Sequence, residues 1–92
     1  MLAVITQNTI TDPEAYLKAA RRFVREARCD SGCLEMNLLY NTEDPTHVTF
    51  FSKWEKESDW QAHTMGETFH KHIPSMAPYY QGGTDSFYTV EE

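Results

Sequence analysis

The sequence predicts one α+β domain, and three observations support this fold class. The chain has 92 residues, which is too short for two separate hydrophobic cores. Hydrophobic residues make up 40% of the chain and aromatic residues 13%, so it can build a packed core. Segments with the two-residue period of strands and segments with the helical period occur in the order strand, helix, strand, strand, helix, strand. We therefore expect a single domain over 1–92, with a four-stranded antiparallel sheet and helices on one of its faces.

The first part of this order is a strand followed by a helix. Residues 2–9 are β-branched or apolar at both parities, which is typical of a strand buried on two sides. Thr11 or Asp12 is the expected helix cap and Pro13 suits the first turn, so we expect a helix that extends to about Arg28. The helical period gives it an inward stripe of Tyr16, Ala20, Phe23, Val24 and Ala27. The opposite face carries Lys18 and all four arginines, Arg21, Arg22, Arg25 and Arg28, and is expected to be solvated.

Two strands follow a glycine break. Asp30-Ser31-Gly32 is expected to end the helix, because glycine tolerates a positive φ. Residues 33–40 alternate in polarity and predict the second strand. Turn-forming residues at 41–45 then predict an antiparallel return over 47–55. In this third strand we assign one parity to the helices, namely Val48, Phe50, Ser52 and Trp54.

The last third of the chain predicts an interrupted helix and a short strand. Ser58 and Gln61 have the spacing of a capping box, although the cap could lie one or two residues earlier. Gly66 is expected to interrupt this helix, which resumes over 67–73 and ends at Pro74. The proline- and glycine-rich stretch 74–83 predicts a loop, and 86–90 predicts a final strand. The complete order is the split βαβ arrangement called ferredoxin-like.

The second face of the sheet is expected to meet another copy of the chain. Two helices cover only one face, yet the other parity of the strands carries the apolar residues Ala3, Ile5, Cys33, Leu39 and Phe51. A large exposed apolar face is unusual for a soluble monomer, so we expect a homodimer. Four polar residues share this parity and would tolerate water, namely Gln7, Glu35, Asn37 and Lys53.

Charge and cysteine content narrow the partners and the location. Fourteen acidic and eight basic residues give a net charge of −6, which disfavours nucleic acid and anionic membranes as partners. No apolar run approaches the roughly 20 residues of a membrane span, and no secretory leader is recognisable, so we expect a cytoplasmic protein. Cys29 and Cys33 are too few for a disulfide scaffold and are expected to be reduced, with a Cys29–Cys33 bridge as the alternative.

Polar residues among the expected core residues indicate a small-ligand cavity between helices and sheet. Asn8, Ser52 and the Trp54 indole share the helix-facing parity with Phe50, and buried polar groups need partners. An ordinary core is the simpler alternative. His63 is a candidate proton acceptor, because imidazole titrates near neutral pH.

The sequence offers little support for other chemistries. His63, His70 and His72 do not share one helix face, and no carboxylate stands at metalloprotease spacing, so we expect no metal site. Gly-rich phosphate loops and nucleophile motifs are absent from the sequence. The remaining chemistry is one without a dedicated nucleophile or a phosphate-bound cofactor.

Five short motifs lie in an informative order: Gly32-Cys33-Leu34, Asp44-Pro45, Phe51-x-x-Trp54, Ala62-His63 and Phe69. Their order and spacing resemble the antibiotic biosynthesis monooxygenase family, which includes small quinol monooxygenases and belongs to the dimeric α+β barrel superfamily. The resemblance spans nearly the whole chain. It makes Trp54 the family's strand-three tryptophan and His63 its helix-two histidine. Ser52 stands where many members have Glu, and Thr68 where many have a second His.

The resemblance implies oxidation of an electron-rich phenol or hydroquinone by dioxygen, in a homodimer and without metal, flavin or haem. Under this reading, His63, Trp54 and Asn8 are the catalytic residues. His63 handles the proton, Asn8 orients the substrate, and Trp54 forms an aromatic wall with Phe50. Further substrate contacts are expected from Ser52, Phe69, His72 and Tyr79. Tyr79 and Tyr80 either close the mouth of the cavity or only form a loop.

Two other functions stay open at this point. A haem-degrading monooxygenase would use Asn8, with His70 or His72 near the haem-ligand position, although His63 stands where those enzymes have Trp. A non-catalytic dimeric protein that binds a small molecule is the other alternative, and Ser52 in place of Glu favours it. The superfamily also contains isomerases of signal molecules, so membership alone does not fix the reaction.

Overall fold

The molecule is a four-stranded antiparallel sheet with its helices packed on one face. A computed structural model describes residues 1–91. Its elements are β1 (Leu2–Ile10), α1 (Pro13–Ala27), β2 (Cys33–Tyr40), β3 (His47–Trp54), α2 (Glu57–Met65), α3 (Glu67–Met76), a 3₁₀ helix (Ala77–Tyr79) and β4 (Tyr80–Thr89). The strand order is β2-β3-β1-β4 and all neighbours are antiparallel. The predicted ferredoxin-like α+β fold is confirmed.

Helix α1 begins and packs as its sequence predicts. Asp12 is the cap, and its side chain accepts a hydrogen bond from the Ala15 backbone N–H at 3.2 Å. The inward stripe is buried and joins the core. Arg28 differs from the expected solvated face, because its Nε donates to the Met36 carbonyl at 3.0 Å and so ties the end of the helix to edge strand β2.

A β-bulge in β2 corrects the predicted position of Cys33. The pairing of β2 with β3 shifts between Cys33 and Glu35, so Cys33 lies opposite Trp54 and faces the helices. Cys33 packs against the core, whereas Leu34 is 50% exposed. Strict alternation predicted the opposite face for Cys33, since an inserted residue cannot be read from the period. Both cysteines are free thiols, so the alternative Cys29–Cys33 bridge is absent from the structure.

The second helical region is divided at Gly66, as predicted, but its ends differ. The cap of helix α2 is Lys56, two residues before Ser58, which agrees with the alternative of an earlier cap; Lys56 makes no side-chain hydrogen bond, and the capping box at Ser58 does not form. Helix α3 continues through Pro74 to Met76, and the prediction that Pro74 ends it is wrong. Met76 is buried in the core, and this packing supports the last turn despite the hydrogen bond that proline cannot make.

The predicted loop over 74–83 is also wrong. The stretch completes α3, forms the 3₁₀ helix and enters β4 at Tyr80, so β4 pairs with the whole length of β1. The pairing shifts opposite Thr9 and Ile10, where Gly82 has a φ of +144°. The two glycines therefore mark an irregularity within a strand rather than a loop.

The sheet face away from the helices keeps an apolar strip. Cross-strand pairing places Ile5 beside Phe51 on this face, and Ala3 beside Tyr88. Leu39 and Tyr88 are 49% and 53% exposed in the single chain. Lys53 and Glu35 form an ion pair at 3.6 Å on the same face. Within residues 1–91, no helix has both the length and the apolar character needed to cross a membrane.

Candidate functional site

A cavity of about 510 Å³ lies between the helices and the sheet. This volume is in the range of small-molecule sites. Aromatic rings form much of its wall, with the Phe23 ring centroid 5.8 Å from that of Phe50 and 6.0 Å from that of Phe69, both edge to face. Five of the residues predicted for the site line the cavity, namely Asn8, Phe50, Ser52, His63 and Phe69.

His63 is the polar centre of the site. Its side chain is only 4% exposed, and its Nδ1 lies 2.6 Å from Oδ2 of Asp30. A carboxylate can only accept a hydrogen bond, so Nδ1 carries the hydrogen and Nε2 keeps a lone pair in the neutral ring. Nε2 has no hydrogen-bond partner among residues 1–91, and none of their side-chain polar atoms is both buried and unpaired. Since His63 lines the cavity, Nε2 is open to a ligand there.

The Asp30 carboxylate has a second hydrogen-bond partner besides His63. Its Oδ1 accepts a hydrogen bond from the Thr68 hydroxyl at 2.8 Å, while its Oδ2 accepts one from Nδ1 of His63. Thr68 lies in the first turn of α3 and Asp30 just after α1, so three helices meet at this carboxylate. Gly32 follows with a φ of +79°, and a Cβ there would lie 2.2 Å from Asp59 of α2. The turn after α1 can therefore approach α2 closely only with glycine at this position.

Trp54 supports the histidine from behind. Its ring lies 4.8 Å from the His63 ring, and the side chain is completely buried. The indole Nε1 donates to the Ser52 hydroxyl at 3.0 Å. Trp54 does not line the cavity, so the expectation that it forms an aromatic wall there is wrong; it packs against His63 instead. Ser52 does line the cavity and can donate its own hydroxyl hydrogen to a ligand.

Asn8 and Tyr16 form a second polar pair on the wall. The Asn8 amide donates to the Tyr16 hydroxyl at 3.4 Å. Burial is the main cause that raises the pKa of Tyr16, so its hydroxyl stays neutral and remains a donor. Gly83 of β4 makes room for Asn8, because a Cβ at Gly83 would lie 2.1 Å from the Asn8 amide oxygen.

Two further predicted residues, His72 and Tyr79, lie outside the cavity wall. Nε2 of His72 is hydrogen-bonded to Glu26 of α1, and His72 does not line the cavity. Tyr79 also lies outside the lining, where its backbone carbonyl accepts the Thr11 N–H at 2.7 Å. The next residue, Tyr80, takes the position at the cavity that we expected of Tyr79.

The haem alternative loses its expected ligands in this geometry. His70 is exposed, and its Nδ1 lies 2.7 Å from the Gly66 carbonyl of its own helix. His70 and His72 are both absent from the cavity wall, so neither histidine can coordinate a group bound there. Among the described residues, no group of three or more His, Cys, Asp or Glu side chains could hold a metal ion.

Sequence reasoning missed Asp30, Tyr16 and Asp85 as parts of the site, and it noted Thr68 only as a departure from the family's second His. Asp30 was interpreted only as a helix breaker, and Tyr16 only as a core residue. Asp30 lies 33 residues from His63 and 38 from Thr68, so no local spacing reveals the contacts. The only signal was chemical, since a buried histidine requires a partner.

The geometry can bind a flat apolar molecule and accept a proton from it. Aromatic walls hold the ring, and His63 presents a free nitrogen to the cavity. Asp30 can balance the charge of the imidazolium that proton transfer creates. Ser52, Asn8 and Tyr16 provide further hydrogen-bonding atoms for a hydroxyl or an oxygen species.

Comparisons with known proteins agree with this geometry. A sequence model of the antibiotic biosynthesis monooxygenase family matches residues 1–75. A crystal structure of an antibiotic biosynthesis monooxygenase is 26% identical, with all of both chains covered and a TM-score of 0.91. A Nitrosomonas europaea protein described under the same family name is 17% identical, with all of both chains covered and a TM-score of 0.93.

A more distant relative in structure has a described activity. SnoaB from Streptomyces nogalater, a cofactor-independent oxygenase, is 11% identical over 99% of this chain and 93% of its own, with a TM-score of 0.88. At such identities the likeness shows the fold. No curated protein sequence matches the chain.

Proposed function

The chain belongs to the antibiotic biosynthesis monooxygenase family, and from this premise we propose that it is a cofactor-independent monooxygenase. Its substrate is an electron-rich phenol or hydroquinone, and its oxidant is dioxygen. One observation carries the proposal: His63 is buried in an aromatic cavity, held by Asp30 at one nitrogen and open to a ligand at the other. A ring whose hydroxyl meets Nε2 would lie against Phe50 and Phe69.

The first step is removal of the phenol proton by Nε2 of His63. The phenolate then gives one electron to dioxygen, and the resulting radical and superoxide combine to form a ring hydroperoxide. This intermediate loses water, which leaves a quinone. One oxygen atom of dioxygen stays on the ring carbon that it attacked. The other leaves as water, whose two hydrogens are the phenol proton and the hydrogen that this ring carbon carried. The four electrons that reduce dioxygen all come from the substrate, so the reaction balances without another reductant.

The surrounding residues support these steps. Asp30 stabilises the imidazolium formed at His63, and Trp54 holds the ring in place from behind. The neutral Tyr16 hydroxyl and the Asn8 amide supply hydrogen bonds that orient the substrate or stabilise a peroxide oxygen. The walls keep water from the reactive intermediates.

The proposal includes a homodimer in the cytoplasm. The apolar strip around Ile5 and Phe51 is a suitable surface for a second copy, which would cover the open face of the sheet. The free thiols Cys29 and Cys33 fit a reducing compartment.

Oxygen uptake with a panel of phenols and hydroquinones tests the activity. We expect the wild-type protein, treated with a chelator, to consume dioxygen and to give a product that has gained one oxygen atom and lost two hydrogen atoms relative to the substrate. The variant His63→Gln should lose about 10²- to 10⁴-fold in rate, as expected for loss of a general base. His47→Gln is the matched control, since His47 is exposed at the start of β3.

Two results would contradict the proposal. Equal turnover in wild type and His63→Gln would remove the base from the mechanism. Tight ligand binding with no oxygen uptake for any compound in the panel would instead favour the non-catalytic binding protein.

A further inference from the structure

The cavity wall has few charged side chains, and none of them is a permanent cation among the described residues. Among residues 1–91, the wall includes no lysine or arginine, although the chain has eight such residues. Apart from tyrosines, its ionisable side chains are His63 and Asp85. The proton acceptor thus shares the cavity with one carboxylate and with no permanent cation.

Asp85 lies on β4 at the outer part of the cavity. It pairs with Thr6 of β1, on the sheet face that carries the helices. The Thr6 hydroxyl donates to Oδ1 of Asp85 at 2.6 Å, which fixes the carboxylate and leaves Oδ2 without a partner among the described residues. Asp85 is exposed at this position, and Gly83 two residues away adds no side chain to the wall. A ligand substituent that leaves the cavity here would meet Oδ2.

We propose that Asp85 is a specificity-determining residue, and that the cavity prefers neutral or cationic hydroxyaromatic compounds to those with a carboxylate. This inference rests on the proposed function, because it concerns the substrate of the same site. A hydroxyl or ammonium substituent can donate to Asp85, whereas a carboxylate meets a like charge and finds no cation on the wall.

The proton chemistry adds to this selection. Proton transfer to His63 creates one phenolate and one imidazolium, which balance each other. A carboxylate on the substrate would add a further negative charge to a cavity that already contains the carboxylate of Asp85. A substrate that is neutral before this step avoids the repulsion.

Binding measured without oxygen tests the inference separately from turnover. We would titrate the protein under nitrogen with three hydroquinones that carry the same ring and different side chains: 2-(2-aminoethyl)hydroquinone, 2-(2-hydroxyethyl)hydroquinone and 2,5-dihydroxyphenylacetate. The saturated carbon links keep the ring electronics similar. Because Asp85 is exposed, we expect the ammonium compound to bind about three- to tenfold more tightly than the carboxylate, with the alcohol between them.

The variants decide whether Asp85 is the cause. In Asp85→Asn the preference should fall to within about twofold, and in Asp85→Lys it should reverse. Glu43→Gln removes an exposed carboxylate on the β2–β3 turn and should keep the wild-type preference.

Three outcomes overturn the inference: equal binding of the three compounds to wild type, an unchanged preference in Asp85→Asn, or no binding of any of them. A preserved preference with no oxygen uptake would contradict the proposed function and leave the specificity assignment standing. Oxygen uptake without the charge preference would do the reverse.

Discussion

Asp30 connects the end of α1 to His63, because one of its oxygens accepts from the Thr68 hydroxyl and the other is hydrogen-bonded to His63. Its role is positioning, because it lies behind the imidazole and does not line the cavity. We expect Asp30→Asn to lower kcat about 10- to 100-fold with little change in KM, since the imidazolium loses its balancing charge and not the substrate contacts. Steady-state oxygen uptake gives both constants.

Asp44→Asn is the control for this variant, because Asp44 lies in the exposed β2–β3 turn. A rise in KM with an unchanged kcat in Asp30→Asn would show that Asp30 affects substrate binding, and would contradict the positioning role.

The Ser52 hydroxyl is the acceptor for the buried indole N–H of Trp54. Removing its hydroxyl in Ser52→Ala would leave the fully buried indole N–H of Trp54 without a partner. We expect the free energy of unfolding to fall by about 1–3 kcal/mol, measured by urea denaturation. In a Trp54→Phe background the same change should cost much less, because the unpaired donor is gone. Equal costs in both backgrounds would show that the hydrogen bond is not what stabilises this site.

Much of the cavity wall could be predicted from single residues, but their partners could not. Phe50, Ser52 and Asn8 were found because strand parity fixes the face of each side chain. The partner of His63 was missed, since Asp30 approaches it only after three helices have packed. Trp54 was placed on the correct face and yet in the wrong role, because parity does not tell how deeply a side chain is buried.

Helices α1 and α3 are joined by a charged cluster that gives stability a pH dependence. Hydrogen bonds from Lys71 and then His72 hold the pKa of Glu26 below its usual 4.5. A lowered carboxyl pKa contributes stability at pH values above the unfolded-state value, and this contribution disappears as the pH falls through the lower, folded-state value. The midpoint of thermal unfolding should therefore be higher for wild type than for Glu26→Gln at neutral pH, and the difference should vanish in acid.

The ion pair between Glu26 and Lys71 also stops contributing to stability at alkaline pH. Hydrogen bonding to Glu26 raises the pKa of Lys71 above its usual 10.5, so the contribution is also lost as the pH rises through the raised value. Thermal unfolding followed by circular dichroism across the pH range measures the difference. Glu43→Gln should show no such profile, and a difference between wild type and Glu26→Gln that stays constant with pH would contradict this explanation.

The elements were predicted well where the period is regular and poorly where it is broken. The inserted residue at Leu34 moved Cys33 to the other face, and the glycines at 82–83 proved to belong to a strand. Pro74 did not end α3, because the burial of Met76 outweighs one missing hydrogen bond. In each case tertiary packing decided the outcome, and sequence spacing carries little information about it.

For the molecule as a whole, the helix-free face of the sheet is the basis for the proposed dimer. Ile5 lies beside Phe51 near the middle of this face. We expect Ile5→Glu to yield a folded monomer where wild type sediments as a dimer, because the charge would be buried only in the pair. Lys18→Glu on the outer face of α1 should leave the dimer intact.

Sedimentation velocity with circular dichroism separates dissociation from unfolding. A wild-type protein that is monomeric at micromolar concentration, or an Ile5→Glu variant that remains dimeric, would show that this face is not the interface.

The overall fold was predictable because strand and helix periods are local properties. The apolar character of this face was predictable from strand parity, except at Cys33, which the bulge at Leu34 moves to the other face.

The proposed proton transfer to His63 can be tested directly in the absence of oxygen. A phenol whose absorbance changes on ionisation, such as 4-nitrophenol, can be bound under nitrogen at a pH below its solution pKa, and its spectrum compared in wild type, His63→Gln and His47→Gln. We expect the bound phenol to have the phenolate spectrum in wild type and in His47→Gln, and the neutral spectrum in His63→Gln. A phenol that binds to the wild-type cavity and stays neutral, or one that ionises equally in His63→Gln, would contradict the assignment of His63 as the proton acceptor.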